Sequence, residues 1–237
     1  MSNQEKPKYI IPETGHVSQD RDRTQPNYVA PGSATQPPSD ATVLFDGSNL
    51  DQWRMRDGSP ATWTVKDGYA EVLVGSGNIF TKEVFGDVQL HLEFASPTEI
   101  EGDGQKRGNS GIFFCDDRYE VQILDNYENP TYPDGTVGAI YSQYPPLVNS
   151  IRKPGEWNSY DIIWHAPVFD GARLVKAAYI TILLNGVLVQ SHTKVLGDTK
   201  IKPGELPHYT AHPSAGSIQL QHHKNPVRFR NIWVRPI

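Results

Sequence analysis

The segment Arg107-Gly-Asn-Ser-Gly-Ile-Phe-Phe-Cys-Asp-Asp-Arg-Tyr-Glu-Val-Gln-Ile-Leu-Asp125 holds the densest set of groups able to do chemistry. In an extended chain starting at Tyr119, period two puts Tyr119, Val121 and Ile123 on one face and Glu120 with Gln122 on the other. A second stretch, Ser217-Ile-Gln-Leu-Gln-His-His223, repeats the pattern: Ile218 and Leu220 face inward, and Gln219, Gln221 and His223 share the opposite side. A solvated sheet face would also alternate. Two strands that each offer amides with a carboxyl or an imidazole look more like a surface that binds sugar hydroxyls and moves protons. Neighbouring His222 and His223 must face opposite ways, so they are no two-toothed metal clamp; that would need i, i+2 spacing on a strand.

The elements that must carry these residues read as strands. Val88-Gln-Leu-His-Leu-Glu-Phe94 alternates strictly, and Tyr179-Ile-Thr-Ile-Leu-Leu followed by Asn185-Gly186 and Val187-Leu-Val189 predicts a hairpin. Asn-Gly supplies the positive φ angles of a two-residue type I′ turn. Further strands are expected at 43–45, 62–65, 69–74, 78–81, 111–114, 119–124, 160–164, 217–221 and 227–234, with no long amphipathic helix. About a dozen short strands favour an all-β fold: two antiparallel sheets packed as a jelly-roll sandwich over residues 40–237. Residues 1–39 differ. Six prolines among Gln, Ser, Thr, Asp and Arg predict an extended N-terminal arm, and Tyr9-Ile10-Ile11 would pack on the domain or on a neighbouring subunit, giving a homo-oligomer held through the arm.

Composition removes several functional classes. With 22 Lys+Arg against 27 Asp+Glu the net charge is −5, which gives no electrostatic claim on nucleic acid or anionic lipid. No apolar run is long enough for a membrane span, and the first residues lack the apolar core of a secretory signal. The single Cys115 allows no intramolecular disulfide and reads as a small buried hydrophobe. P-loop, dinucleotide, Gly-x-Ser-x-Gly and His-Glu-x-x-His motifs are absent. Most of the five Trp are expected in the core. Tyr127, Tyr132, Tyr141 and Tyr144, in the long stretch 126–154, are candidates for a substrate wall, and Arg228 and Arg230 for holding a carboxylate. Glu120-Val-Gln-Ile-Leu-Asp125 matches the spacing of the Glu-x-Asp-x-x-Glu strand of laminarinase-like retaining glycosidases, where two carboxylates sit ~5 Å apart. Here the middle position is Gln122, and residues five apart on a regular strand face opposite ways, which argues against the two-carboxylate mechanism.

The segments Leu44-Phe-Asp-Gly47 with Leu50 and Trp53, Gly108-Asn-Ser-Gly-Ile112, Tyr119-Glu-Val-Gln-Ile-Leu-Asp125, Gly138-Ala-Ile-Tyr141, Trp157-Asn-Ser-Tyr-Asp-Ile162 and Gly216-Ser-Ile-Gln-Leu-Gln with Pro-Val-Arg-Phe-Arg-Asn-Ile232 together resemble the 3-keto-disaccharide hydrolase family over about residues 42–237. The resemblance implies a concanavalin A-like sandwich, a small carbohydrate substrate already oxidised at C3, and a bacterial protein exported to the periplasm or beyond. Gln221-His222-His223-Lys224 departs from the expected Gln-Asp-His-Gly but keeps the histidine. A C3 ketone acidifies the C2 hydrogen, so a base can remove it and the C1 oxygen can leave by β-elimination, with water adding afterwards. Glu120 or His223 would then be the base and the other the acid, while Arg107, Asn109, Gln122, Tyr141 and Gln221 hold the sugar or steady the enolate. Asp125 would orient His223 or sit at the rim. A divalent ion held by Glu120, Asp125 and His223 is compatible with this chemistry, though the spacing does not demand one. The same surface without a tuned acid or base would serve a lectin-like binding domain.

Overall fold

The computed structural model describes residues 9–33, 36–201 and 204–237. The expectations for residues 1–8, which include the missing signal core and part of the arm, lie outside the described residues, as do arm positions 34–35. Seventeen strands and two three-residue 3-10 helices, Gly104–Lys106 and Pro133–Gly135, make up the regular structure.

The arm contributes a small hairpin, β1 (Ile10–Ile11) with β2 (His16–Val17). Then come β3 (Thr42–Phe45), β4 (Trp53–Arg54), β5 (Thr64–Lys66), β6 (Tyr69–Glu71), β7 (Ile79–Thr81), β8 (Val88–Ala95), β9 (Ser110–Phe114) and β10 (Tyr119–Ile123). After a long connection follow β11 (Asn158–His165), β12 (Val168–Asp170), β13 (Arg173–Lys176), β14 (Tyr179–Leu184), β15 (Val187–Lys194), β16 (Gln219–Leu220) and β17 (Arg228–Pro236). One sheet has the order β10-β9-β16-β7-β4. The other runs β15-β14-β11-β8-β17-β6-β5, with β3 added beside β17. The named strands pair antiparallel throughout, as the alternating pattern requires for sheets with one face in the core.

The two sheets close on a shared core. Along β8 the inward set is Val88, Leu90, Leu92 and Phe94, and along β11 it is Tyr160, Ile162 and Trp164, all buried. Phe114 of β9 stacks on Trp164 of β11 with ring centroids 4.7 Å apart, joining sheet to sheet. The buried Tyr160 hydroxyl crosses the same gap to donate to the Gln122 carbonyl at 2.7 Å. Fully burying each of these large side chains contributes about 1.5–3 kcal/mol relative to exposure. At the Asn185-Gly186 turn φ is +54° and +77°, as the hairpin pattern demands. Trp53, Trp63, Trp164 and Trp233 are buried, and Cys115 is buried in the tight turn just after β9 rather than in the strand itself.

Several short elements escape the sequence pattern: β1, β2, β4, β12 and β13, of which the last two form an exposed hairpin around Gly171. Their two to four residues are too few for period two to rise above chance.

Candidate active site

The outer face of the five-stranded sheet is where the polar residues of the sequence pattern meet. Register places Glu120 opposite Phe113, Phe113 opposite Gln219, Gln219 opposite Phe80, and Phe80 opposite Arg54. Two residues along each strand lies a second row, in which Gln122 stands opposite Gly111 and the Gln221 amide donates to the Gly111 carbonyl. Residues 138–141 add an irregular edge strand: Tyr141 N–H donates to the Glu120 carbonyl and Gln122 N–H to the Ala139 carbonyl, both at 3.1 Å. Tyr141 therefore extends the row of Glu120.

A two-sided antiparallel sheet would leave these polar side chains in water. Instead every residue of β9 and β10 is buried, because loops cover the outer face as the second sheet covers the inner one. Gln105 ties those loops down, its side-chain amide donating to Thr131 Oγ1 at 3.1 Å and to the Gly135 carbonyl at 2.8 Å. The Thr199 hydroxyl accepts from the Glu120 backbone N–H at 3.0 Å. Asn225 accepts from the Asn109 N–H at 2.8 Å, while the Asn109 side chain donates to the Gln105 carbonyl at 2.7 Å.

What remains open is a cavity of about 150 Å³ lined by Gln105, Asn109, Glu120, Gln122, Tyr141, Gln221 and His223. At ~30 Å³ per water this holds roughly five waters, the scale of one sugar ring. Its polar groups are incompletely used. The Gln122 amide donates to Gln105 Oε1 and to the Gly135 carbonyl, yet Gln122 Oε1 and Gln221 Oε1 have no hydrogen-bond partner among the described residues. A buried unpaired acceptor costs ~1–3 kcal/mol, and hydroxyl donors on a ligand would recover that.

Glu120 is the most unusual group. It is 6% exposed, its carboxyl makes no hydrogen bond among the described residues, and burial pushes its pKa up to about 8 against the weaker opposing pull of Lys200. The carboxyl rests over Gly111, where a Cβ would lie 2.5 Å from Glu120 Oε1. His223 also lines the cavity, from an exposed position at its rim, and is held below the ordinary imidazole range chiefly by desolvation from the surrounding chain and further by the neighbouring His222 and Lys224. At neutral pH the cavity thus holds a protonated carboxyl and an uncharged imidazole, an acid and a base in the forms that each would need.

Six of the expected site residues converge here: Glu120, His223, Asn109, Gln122, Tyr141 and Gln221. Arg107 and Asp125 do not. Arg107 Nε donates to Asp125 Oδ2 at 2.7 Å and its Nη2 to the Tyr127 carbonyl, and the Asp125 carboxylate also accepts from the Tyr127 N–H. Both line a separate pocket of about 310 Å³. The reason is electrostatic: Asp125 is almost fully buried, and a buried carboxylate is stable only when a cation and hydrogen bonds surround it. Asp125 therefore neither orients His223 nor completes a metal set with Glu120 and His223. Among the described residues no three His, Cys, Asp or Glu side chains cluster as metal ligands. Arg228 and Arg230 are likewise spoken for, stacking on Trp157 at 5.6 and 4.2 Å, with Arg230 paired to Glu93 of the neighbouring strand within the eight-stranded sheet.

Gln105, Gly111 and Thr199 line or support the cavity, and strand periodicity does not reveal them. Gln105 lies in the short 3-10 helix Gly104–Lys106 and Thr199 in irregular chain, and Gly111 matters through the side chain it lacks. Of the tyrosine cluster Tyr141 lines the cavity, and Tyr132 stands behind it with its hydroxyl 2.7 Å from that of Tyr141.

A family model described as a 3-keto-alpha-glucoside-1,2-lyase-like domain matches residues 40–235. Among solved structures, a "putative glycosyl hydrolase" from Parabacteroides distasonis ATCC 8503 superposes with a TM-score of 0.87 at 44% identity, covering 92% of this chain and 95% of that one. Two further structures under the same description and from the same organism superpose with TM-scores of 0.60 at 20% and 24% identity. They cover 83% of this chain and 94% and 99% of their own, and show the shared sandwich fold. No curated protein matches.

Proposed function

The chain belongs to the 3-keto-alpha-glucoside-1,2-lyase-like domain family, and from that premise we propose that it cleaves 3-keto-glycosides by elimination, with Glu120 as acid and His223 as base. The observation that carries the assignment is the opposite displacement of the two pKa values inside one cavity, Glu120 raised to about 8 and His223 lowered. Uncharged His223 removes the C2 proton. Electrons move into the C1–C2 bond as the C1–O bond breaks, and protonated Glu120 gives its proton to the departing oxygen. Water adds across the resulting double bond, with the two groups now in exchanged protonation states, and 3-keto-glucose is released. Asn109, Gln122, Tyr141 and Gln221 hold the sugar hydroxyls, the two amide oxygens left without donors being acceptors for them. Arg107 is a support beneath the site in this reading, through Asp125.

A retaining mechanism with two carboxylates finds no second carboxylate lining the cavity among the described residues. A purely binding domain has no use for a buried carboxyl without a partner, which costs stability without adding affinity for neutral sugar. No helix among the described residues is long and apolar enough to cross a membrane. The reading includes a location outside the cytoplasm, the habit of the family, which fractionation of producing cells would test.

The deciding experiment compares release of 3-keto-glucose from a 3-keto-disaccharide with cleavage of the unoxidised sugar. Turnover of the keto form alone is expected. Removing the acid or the base with Glu120→Gln or His223→Ala should lower kcat by ~10²-fold or more. Cleavage of the unoxidised sugar, or losses below about tenfold from both variants, would reject the assignment.

A further inference from the structure

Amide side chains of Gln105, Asn109, Gln122 and Gln221 line the cavity, yet most of their hydrogens are already spent on the protein. The Gln105 amide gives both of its own, to Thr131 Oγ1 and the Gly135 carbonyl, and the Gln122 amide both of its own, to Gln105 Oε1 and the same carbonyl. The Asn109 amide directs its pair at Gln105, at 2.7 Å to the carbonyl and 3.5 Å to Oε1. An oxygen that gains negative charge in the cavity must therefore find its donor elsewhere. Apart from the proposed acid and base, the lining residues leave the Gln221 amide and the Tyr141 hydroxyl.

These two differ in what stands behind them. Gln221 Oε1 is itself without a donor, so this side chain meets a ligand hydroxyl as an acceptor. The Tyr141 hydroxyl lies 2.7 Å from that of Tyr132, and the two rings meet edge to face with centroids 6.3 Å apart. A hydrogen bond between two hydroxyls uses one hydrogen, so when Tyr132 donates, the Tyr141 hydrogen is free for a ligand. Burial, and then the bond to Tyr141, hold the Tyr132 proton more firmly than in a free phenol, which suits a donor. Tyr132 is also fixed in place: a Cβ at Gly135 would collide with its ring, and the Gly135 N–H donates back to the Tyr132 carbonyl at 3.0 Å. Because the Gly135 carbonyl anchors Gln105 and Gln122, one short segment sets both the amide floor and the phenol pair.

We propose that Tyr141 is the catalytic donor to the C3 oxygen of the substrate, and that Tyr132 is the positioning residue that aims and polarises it. The inference rests on the keto-glycoside reading above and fills the role that reading leaves open, the partner of the enolate. Tyr141 stands beside Glu120 in the same row, one strand over. The oxygens on C1 and C3 of a sugar ring are separated by ~4.8 Å, the distance between neighbouring strands. With Glu120 at the C1 oxygen, Tyr141 thus meets the C3 oxygen. As His223 takes the C2 proton, the C–H electrons form a C2–C3 double bond and the carbonyl pair moves onto the C3 oxygen, where the Tyr141 hydrogen bond strengthens. That pair then returns to re-form the ketone, a C1–C2 double bond forms, and the C1–O bond breaks as Glu120 protonates the departing oxygen. Tyr141 keeps its proton throughout, and donation from Tyr132 makes it the stronger donor.

The test follows C2–H exchange of 3-keto-glucose in D2O by NMR, beside steady-state cleavage of a 3-keto-disaccharide. His223 is exposed and passes its proton to solvent, so exchange reports enolate formation without bond cleavage. Tyr141→Phe should lower both exchange and kcat by ~10²-fold. Tyr132→Phe should lower both by ~5-fold. In each variant KM should stay within about twofold, whereas a merely structural role would move KM as well. Exchange within about threefold of wild type in Tyr141→Phe, a Tyr132→Phe effect confined to KM, or a larger loss of exchange in Gln221→Met than in Tyr141→Phe would overturn the assignment and leave the elimination reading standing. A wild-type enzyme that neither exchanges C2–H nor cleaves the keto-disaccharide would overturn both.

Discussion

Glu120 sets the terms at the scale of single residues. A carboxyl that takes up a proton on folding lowers stability wherever the unfolded chain would hold it ionised. The cost is absent below the unfolded pKa near 4.5, grows as pH rises, and levels off above the folded value of about 8. At ~1.4 kcal/mol per pH unit, Glu120→Gln should stabilise the fold by on the order of 3 kcal/mol at pH 7 and by almost nothing at pH 4, which denaturant titrations at the two pH values would measure. The same displacement shapes activity. The rate should rise as His223 loses its proton, below the usual imidazole range, and fall as Glu120 ionises near pH 8, giving a bell-shaped kcat/KM profile. Glu120→Gln should remove the alkaline limb from whatever activity survives. The identity of both groups was legible in the alternation of their strands, but their protonation was not. For Glu120, burial and the lack of partners are properties of the loops around it.

At the scale of elements, the decisive position is one where nothing projects. Gly111 of β9 faces Gln122 of β10, and the gap it leaves is where the Glu120 carboxyl lies. A methyl group there would also stand 3.2 Å from Phe113 Cε2. Gly111→Ala should therefore push Glu120 off its wall, lowering kcat by more than about tenfold at a stability cost of about 1–3 kcal/mol. Steady-state kinetics beside thermal unfolding would check this, because a merely destabilised variant would keep its kcat when folded. Period two sufficed to assign β8 and β10 with their faces, and the strand pattern located β11 and β14. It could not show that the outer face of β10 is covered, since Gln105, Thr199 and the edge formed by residues 138–141 reach it from segments outside the strands.

For the whole molecule, the sandwich separates the face that carries the cavity from the arm. Gly32, Ser33, Gln36 and Pro38 border a pocket with His91 and Asp161 on the outer face of the eight-stranded sheet, and Asp40 pairs with Arg235 at 2.7 Å. The cavity lies on the other sheet. Deleting residues 1–31 should accordingly leave kcat within about twofold of the full chain, measured on the same 3-keto-disaccharide. A collapse of native mass in the same variant, read by light scattering, would show that the arm joins subunits.

The sequence by itself determined the fold class, the faces of the long strands and most of the residues around the cavity, because alternation of side chains is a local consequence of backbone geometry. Only the tertiary structure decided that Arg107 and Asp125 belong to each other rather than to the site, that Gly111 makes room for Glu120, and that Tyr132 stands behind Tyr141. Those facts depend on which segments meet, and on how much water is excluded where they do. Neither is written in the spacing along one strand.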